Sequence, residues 1–198
     1  MSLDLERHLV FYGTFHHHPV NKAIHMVCVP VILTSAFTIR TNDAKFKATY
    51  TGTLVELPSW LSIPNLDLNL GTIIALTYAV LYLLLEPVAG FILAAFCLGS
   101  TAFARHLSLQ NPHQTLQVAI GVHVIAWVAQ FIGHGAFEGR APALLDRLIQ
   151  ALFLAPMFVW FEILFVLGYR PELQARVDKQ VNAEIAKLTA AAKGGKAQ

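Results

Sequence analysis

The sequence predicts an all-α fold: a polytopic membrane helical bundle with four or five transmembrane segments and a buried histidine-rich site. Hydrophobic residues make up 56% of the 198 residues and charged residues only 13%, about half the charged share of an ordinary soluble domain. Several uncharged runs are long enough to cross a bilayer, and most of the nine histidines lie beside or within them. A net charge of +2 provides no strong basic field, so no nucleic-acid partner is expected.

The first apolar run, residues 23–39, carries no charge and reaches the roughly 17 residues that a membrane helix needs. We expect its helix to begin at Pro19, because the missing N–H of proline costs nothing at the first helical position. Pro30 lies inside the run and predicts a kink. Residues 41–69 mix lysines, glycine and prolines with Trp60, which predicts an interfacial loop.

The next two apolar runs are residues 70–104 and 114–137. Glu86 is the one charged residue of the first run, and Pro87 follows it. This interruption predicts two helices joined as a hairpin. The second run has no charge and predicts a further span.

The last apolar run, residues 148–167, contains Pro156 as an expected kink and Glu162 as its one charge. A role for Glu162 in proton transfer or substrate binding and an ordinary interhelical hydrogen bond are both open. Residues 1–175 are predicted to form one membrane-embedded catalytic domain, and residues 176–198 a polar, water-exposed tail.

The order of the spans predicts which histidines share a face of the membrane. If the 70–104 hairpin crosses twice or not at all, the first span and the 114–137 span run in opposite directions. The start of the first span and the end of the 114–137 span then lie on the same face of the membrane. The polar side chains at these two ends are His16, His17, His18, His25, His134 and Glu138. His106 and His113 fall on the opposite face.

The first motif is FHHHPVNKAIH, residues 15–25. Asn21 and His25 are four apart and share one face of the expected helix, whereas His16 and His17 precede it. In a continuous helix His17 and His25 would stand about 12 Å apart along the axis. A chain reversal before Pro19 would bring His17 back towards His25.

The second motif is HVIAWVAQFIGHGAFEGRAPAL, residues 123–144. His123, Trp127, Gln130 and His134 follow helical spacing and form a polar stripe, which is expected to face protein and to mark a functional interior. His134 and Glu138 are four apart and can reach one site if the helix continues. A straight helix separates His123 from His134 by about 16 Å, which disfavours joint binding of one ion.

Clustered imidazoles suit zinc, iron, copper or nickel. Three histidines with open coordination positions would suit iron that binds dioxygen and a chelating substrate. Glu138, Asn21 and Gln130 are expected to orient the ligands through hydrogen bonds. Arg140 is either a clamp for a substrate carboxylate or a plain charge at the membrane edge.

These two motifs resemble the signatures of the 2-hydroxy-fatty-acid dioxygenases, endoplasmic reticulum membrane proteins of fungi with bacterial relatives. FHHHPVNKAIH is similar to the HHxPxNxxxH signature, and WVAQFIGHGAFEGRAPALLD is similar to the second signature. The stretch LAPMFVWFEILFVLGYRPEL also resembles the family, so the likeness extends over residues 1 to about 175. His18 stands where the family pattern has a variable, often asparagine-like residue.

The resemblance implies iron(II)-dependent α-oxidation, in which a 2-hydroxy fatty acid and dioxygen give a fatty acid one carbon shorter and carbon dioxide. It places this reaction in the breakdown of phytosphingosine. Our hypothesis is that His17, His25 and His134 hold the iron, with His16 or His123 able to replace one of them. Glu138 would orient a ligand or move a proton, and membrane lipid would surround the chain.

Two other classes of function remain open from the sequence. One is a histidine-rich membrane oxidase or hydroxylase with two metals, which would also use His106, His113 and His123. The other is a non-catalytic lipid-binding membrane protein whose histidines hydrogen-bond to one another. The number of metals, the membrane face of the site and the oligomeric state are not determined at this point.

Overall fold

The computed structural model describes residues 4–42, 62–139 and 148–194. Seven α-helices and one π-helical turn are found in these ranges, and no strand is found in them: α1 Leu5–Phe15, α2 Pro19–Thr41, α3 Leu70–Leu85, α4 Pro87–Gln110, α5 Pro112–Gly133, the π turn His134–Glu138, α6 Leu148–Val166 and α7 Pro171–Gly194. The predicted all-α class is confirmed. Most of the predicted interfacial loop, residues 43–61, lies outside the described residues.

The helix starts follow local sequence signals. Four helices begin at a proline, and the predicted start of α2 at Pro19 is confirmed. The side chain of Asn69 caps α3 by accepting a hydrogen bond from the backbone N–H of Thr72 at 3.0 Å. The carboxylate of Glu86 caps α4 in the same way at Ala89, which explains a charge between two apolar helices.

Three described helices are long and apolar enough to cross a membrane: Pro19–Thr41, Pro87–Gln110 and Pro112–Glu138. The pair Leu152–Val166 and Pro171–Ala190 bends by 118° and adds a fourth if it forms one span. A count of four agrees with the lower of the two predicted numbers, four or five. The 16 residues of α3 fall just short of the roughly 17 that a span requires. The chain is a multi-pass membrane protein.

The helices form two compact units. The central unit is Val27–Gln130, and the terminal unit combines Met1–Met26 with Phe131–Gln198. In the central unit α3 packs along α4, which confirms the predicted hairpin. Gly90 of α4 lies so close to the backbone of Tyr82 in α3 that a Cβ atom would not fit there.

In the terminal unit α1 packs against α6 and α7. Leu173, Val177 and Val181 of α7 are buried, and a Cβ atom on Gly13 of α1 would lie 2.9 Å from Val181 Cγ2. The apolar positions of α7 recur at helical spacing, so one of its faces is buried while most of its other described residues are exposed.

Candidate metal centre

Three buried histidines of the terminal unit converge on one point. His16 follows α1, His25 lies in α2 and His134 opens the π turn. One ring nitrogen of each lies within 4.8 Å of the others, and the ring centroids are 4.4 to 4.9 Å apart. Their exposed fractions are only 6%, 3% and 5%. We call this group the histidine cluster.

The turn between α1 and α2 decides which histidine of the HHH run enters the cluster. His16 is the C-cap of α1, and its backbone N–H donates to the carbonyls of Tyr12 and Gly13 at 3.1 and 3.3 Å. Only His17 and His18 remain before α2 begins at Pro19. The side chain of His17 is exposed. The structure thus brings His16 to His25 and His134, whereas the hypothesis from the sequence preferred His17.

Backbone carbonyls fix the tautomers of two members of the cluster. Nδ1 of His16 lies 3.0 Å from the carbonyl oxygen of Tyr12, and Nδ1 of His25 lies 2.9 Å from that of Asn21. A carbonyl can only accept, so each Nδ1 carries the proton and each Nε2 keeps a lone pair. Metal-bound histidines commonly use this arrangement.

The electrostatics also favour metal binding by neutral imidazole. Burial, and then the neighbouring imidazole of His25, hold the pKa of His16 well below its usual value. A neutral imidazole with its Nε2 lone pair free is the form that binds a metal. Three imidazole nitrogens fit zinc, iron, copper or nickel and leave further coordination positions for exogenous ligands. The histidine cluster can therefore hold a metal ion.

Glu138 organises the chain around the cluster. Its Oε1 atom accepts three hydrogen bonds, from the backbone N–H groups of His17 at 2.8 Å and His18 at 2.9 Å and from Nδ2 of Asn21 at 3.0 Å. The carboxylate also lies at the N-terminus of α2, where the helix dipole favours negative charge. One side chain thus joins the turn that carries His16 to the π turn that carries His134.

Asn21 is fully buried beside the cluster. Its Nδ2 donates to Glu138, whereas its Oδ1 has no hydrogen-bond partner in the described part of the chain. A Cβ atom on Gly133 would lie 2.6 Å from this oxygen, so a larger residue next to His134 would force the Asn21 side chain to move. An acceptor left unpaired in a buried position is costly.

Comparison with known proteins agrees with the geometry. The family model for "2-hydroxy-palmitic acid dioxygenase Mpo1-like" matches residues 2–167. The chain belongs to this family. The 2-hydroxy-palmitic acid dioxygenase MPO1 of Saccharomyces cerevisiae is 36% identical to this Mpo1-like protein over 176 residues, which cover 89% of this chain and 88% of the yeast protein. No solved structure matches. The resemblance inferred from the two motifs is confirmed.

His123 of this Mpo1-like protein belongs to a different arrangement, in the central unit. The indole N–H of Trp127 donates to its Nε2 at 3.0 Å. The proton is therefore on Nδ1, which donates to Oγ of Ser35 at 2.8 Å. Ser35 in turn donates to the carbonyl of Val31 at 2.7 Å. Both ring nitrogens of His123 are engaged, so binding a metal there would require one of these hydrogen bonds to break.

The remaining predicted residues have different surroundings. Gln130 is buried in the central unit, and its Nε2 atom has no partner among the described residues. Arg140 lies outside the described residues. His106 and His113 are exposed.

An aromatic layer lies against the cluster and includes residues that the two motifs did not predict. Tyr12 stacks on His16 with 3.7 Å between ring centroids and on Phe158 with 3.9 Å. Burial, and then the charge of Glu162, raise the pKa of Tyr12, so its phenol stays protonated. One signal for Tyr12 was present in the sequence, because it lies four residues before His16 and such pairs meet on a helix.

Proposed function

We propose that this protein is an iron(II)-dependent dioxygenase that converts a 2-hydroxy fatty acid into the fatty acid one carbon shorter. We place it in the endoplasmic reticulum membrane, in the breakdown of sphingolipids derived from phytosphingosine. The observation that carries the proposal is the histidine cluster, with its three converging imidazoles. The Mpo1-like family and the activity of the yeast relative, a 2-hydroxy-palmitic acid dioxygenase, support the class of substrate.

The proposed reaction is balanced without a further reductant. A 2-hydroxy acid, RCH(OH)COOH, and O₂ give RCOOH, CO₂ and H₂O. The C1–C2 bond breaks, C1 leaves as carbon dioxide and C2 becomes the new carboxyl carbon. The substrate supplies all four electrons that reduce dioxygen, so a membrane site with one metal and no electron-transfer partner suffices.

Of the five candidate ligands, we assign His16, His25 and His134 to iron. His17 is exposed and His123 has both nitrogens engaged, so they receive no ligand role in the proposal. Bound iron would supply activation of dioxygen and a Lewis acid for the hydroxyl and carboxylate of the substrate. The protein's own contribution is to hold the three imidazoles in place and to exclude water.

Two further residues receive roles. Glu138 is a positioning residue, because its three hydrogen bonds fix the turn that carries His16. Oδ1 of Asn21 would accept a hydrogen bond from the 2-hydroxyl group of the substrate, which supplies the donor that this buried oxygen lacks among the described residues. Roles for Gln130 and Arg140 stay predictions from the sequence.

The apolar exterior of the helices fits a lipid substrate. Large hydrophobic side chains such as Val27, Phe91 and Ile125 are more than half exposed, as expected for helices surrounded by lipid. The alkyl chain of the substrate would stay in that environment while its polar end enters the site.

The direct test is to incubate the purified protein with iron(II), oxygen and 2-hydroxypalmitate and to analyse the products by mass spectrometry. Pentadecanoic acid and carbon dioxide are expected in equal amounts. Hexadecanoic acid, which lacks the 2-hydroxyl group, is the substrate control and should give no product. Absence of pentadecanoic acid from protein that carries bound iron would refute the proposed function.

A further inference from the structure

An ion pair lies beside the histidine cluster. Nζ of Lys22, in the first turn of α2, is 2.8 Å from Oε1 of Glu162 in α6. Glu162 is the one charged residue in the mostly apolar sequence of α6. A carboxylate within an apolar membrane helix is energetically costly and usually marks a functional site.

Both partners are neighbours of residues that form or support the cluster. Lys22 precedes His25 by three positions, and side chains at this spacing are adjacent on a helix surface. Glu162 follows Phe158 by four positions, and the ring of Phe158 lies 5.9 Å from that of His16. The ion pair therefore lies within about one helical turn of the cluster along both helices.

The two partners differ from the cluster in accessibility. The side chains of Lys22 and Glu162 are 30% and 19% exposed, whereas the three imidazoles are buried. An ammonium group has three N–H donors, and the hydrogen bond to Glu162 uses one of them. Lys22 can thus present a positive charge and a donor to a ligand that approaches the cluster from outside.

We propose that Lys22 binds the carboxylate of the substrate and that Glu162 holds the ammonium group in place for it. The inference rests on the proposed function, because it assumes an anionic acid whose 2-hydroxyl end reaches the cluster. Lys22 selects for the acid over uncharged lipids of the same chain length. Arg140, the residue that the sequence suggested for this task, has no role in the proposal.

Glu162 orients the ammonium group of Lys22 but also lowers the affinity of the protein for the acid. Its negative charge repels the incoming carboxylate, so the complex places two anions on one cation. Glu162→Gln keeps an amide oxygen that can accept from Lys22 but removes the repulsion. The acid should bind several-fold more tightly to this variant.

Equilibrium binding to the purified, iron-loaded protein under anaerobic conditions tests the inference without turnover. The ligands are 2-hydroxypalmitate and 1,2-hexadecanediol, which has the same chain length and lacks the carboxylate. Lys22→Gln should raise the Kd of the acid about tenfold or more, as expected for loss of a hydrogen bond to a charged group. The Kd of the diol should stay unchanged, and Lys22→Arg should retain most of the affinity for the acid.

The matched control is Arg105→Gln, which removes an ion pair of similar geometry, 2.7 Å to Asp67, in the central unit. It should change neither Kd. Equal effects of Lys22→Gln on both ligands, or a selective loss of acid binding in Arg140→Gln alone, would overturn the inference. If Lys22→Gln does not fold, an unchanged or weaker binding of the acid to Glu162→Gln would overturn it. Failure of the proposed function is recognised separately, by the absence of pentadecanoic acid from the wild-type reaction.

Discussion

Two arrangements of histidine in this protein differ in how the ring nitrogens are hydrogen-bonded. In the histidine cluster, His16 and His25 donate from Nδ1 to backbone carbonyls and keep the lone pair on Nε2. In the central unit, His123 is engaged at both nitrogens, by Trp127 and Ser35. The lone pairs on His16 and His25, rather than the number of histidines in apolar helices, therefore make the cluster able to hold a metal ion.

The largest expected difference in metal binding and turnover is between the alanine variants of His134 and His123. His134→Ala should abolish metal binding and lower turnover by at least about a thousandfold, because one of the three proposed ligands is lost and no other histidine of the described residues joins the cluster. His123→Ala should retain the metal and lose about 1–3 kcal/mol of stability, since it removes the acceptor for the Trp127 indole. Metal analysis measures metal binding, product formation measures turnover, and thermal unfolding measures stability. Equal metal content in both variants would contradict the distinction.

The next largest difference in metal content and activity is expected between the alanine variants of the neighbouring residues His16 and His17. His16→Ala should lose metal and activity nearly as completely as His134→Ala, because His16 is buried in the cluster. His17→Ala should keep both within about twofold, as surface substitutions usually have small effects. Its backbone N–H, which donates to Glu138, is unaffected by the substitution. The opposite ranking would return the ligand role to His17.

A smaller effect is expected at Glu138. Glu138→Gln keeps an oxygen that can accept from His17, His18 and Asn21 but removes its charge, so metal affinity should fall about 10- to 100-fold, as for other residues that orient metal ligands. Glu138→Ala, which also removes the acceptor, should be worse. Metal titration of both variants gives the ranking. A loss of turnover with unchanged metal affinity would instead indicate a role in proton transfer.

The smallest expected effect concerns two glycines of one motif. Gly133→Ala should destabilise the protein by about 1–3 kcal/mol, because its Cβ would meet Oδ1 of Asn21 at 2.6 Å. Gly135→Ala is the matched control, since a Cβ at that position meets no atom of the described residues within 4 Å. Thermal unfolding of the two variants should show a lower Tm for Gly133→Ala only.

The sequence was sufficient to predict features that depend on residues close together in the chain. Uncharged runs predicted the membrane helices, and a proline after HHH predicted the start of α2, as observed. The expected proximity of His25 and His134 is also found, with 4.9 Å between the ring centroids.

The sequence was insufficient where the outcome depends on distant partners or on a short turn. The preference for His16 over His17 depends on where α1 ends, and helix boundaries are determined by capping contacts such as those of His16 with Tyr12 and Gly13. The engagement of His123 depends on Ser35, which is 88 positions away in the chain. Spacing within one segment contains no information about such a partner.

Iron stoichiometry tests the central claim most directly. The purified wild-type protein, reconstituted anaerobically with iron(II), should hold one iron per chain, because the described residues contain one group of three converging imidazoles. His123→Ala should also hold one, and the alanine variants of His16, His25 and His134 should hold none. Two irons per chain in the wild type, or a full iron complement in the three cluster variants, would contradict the claim.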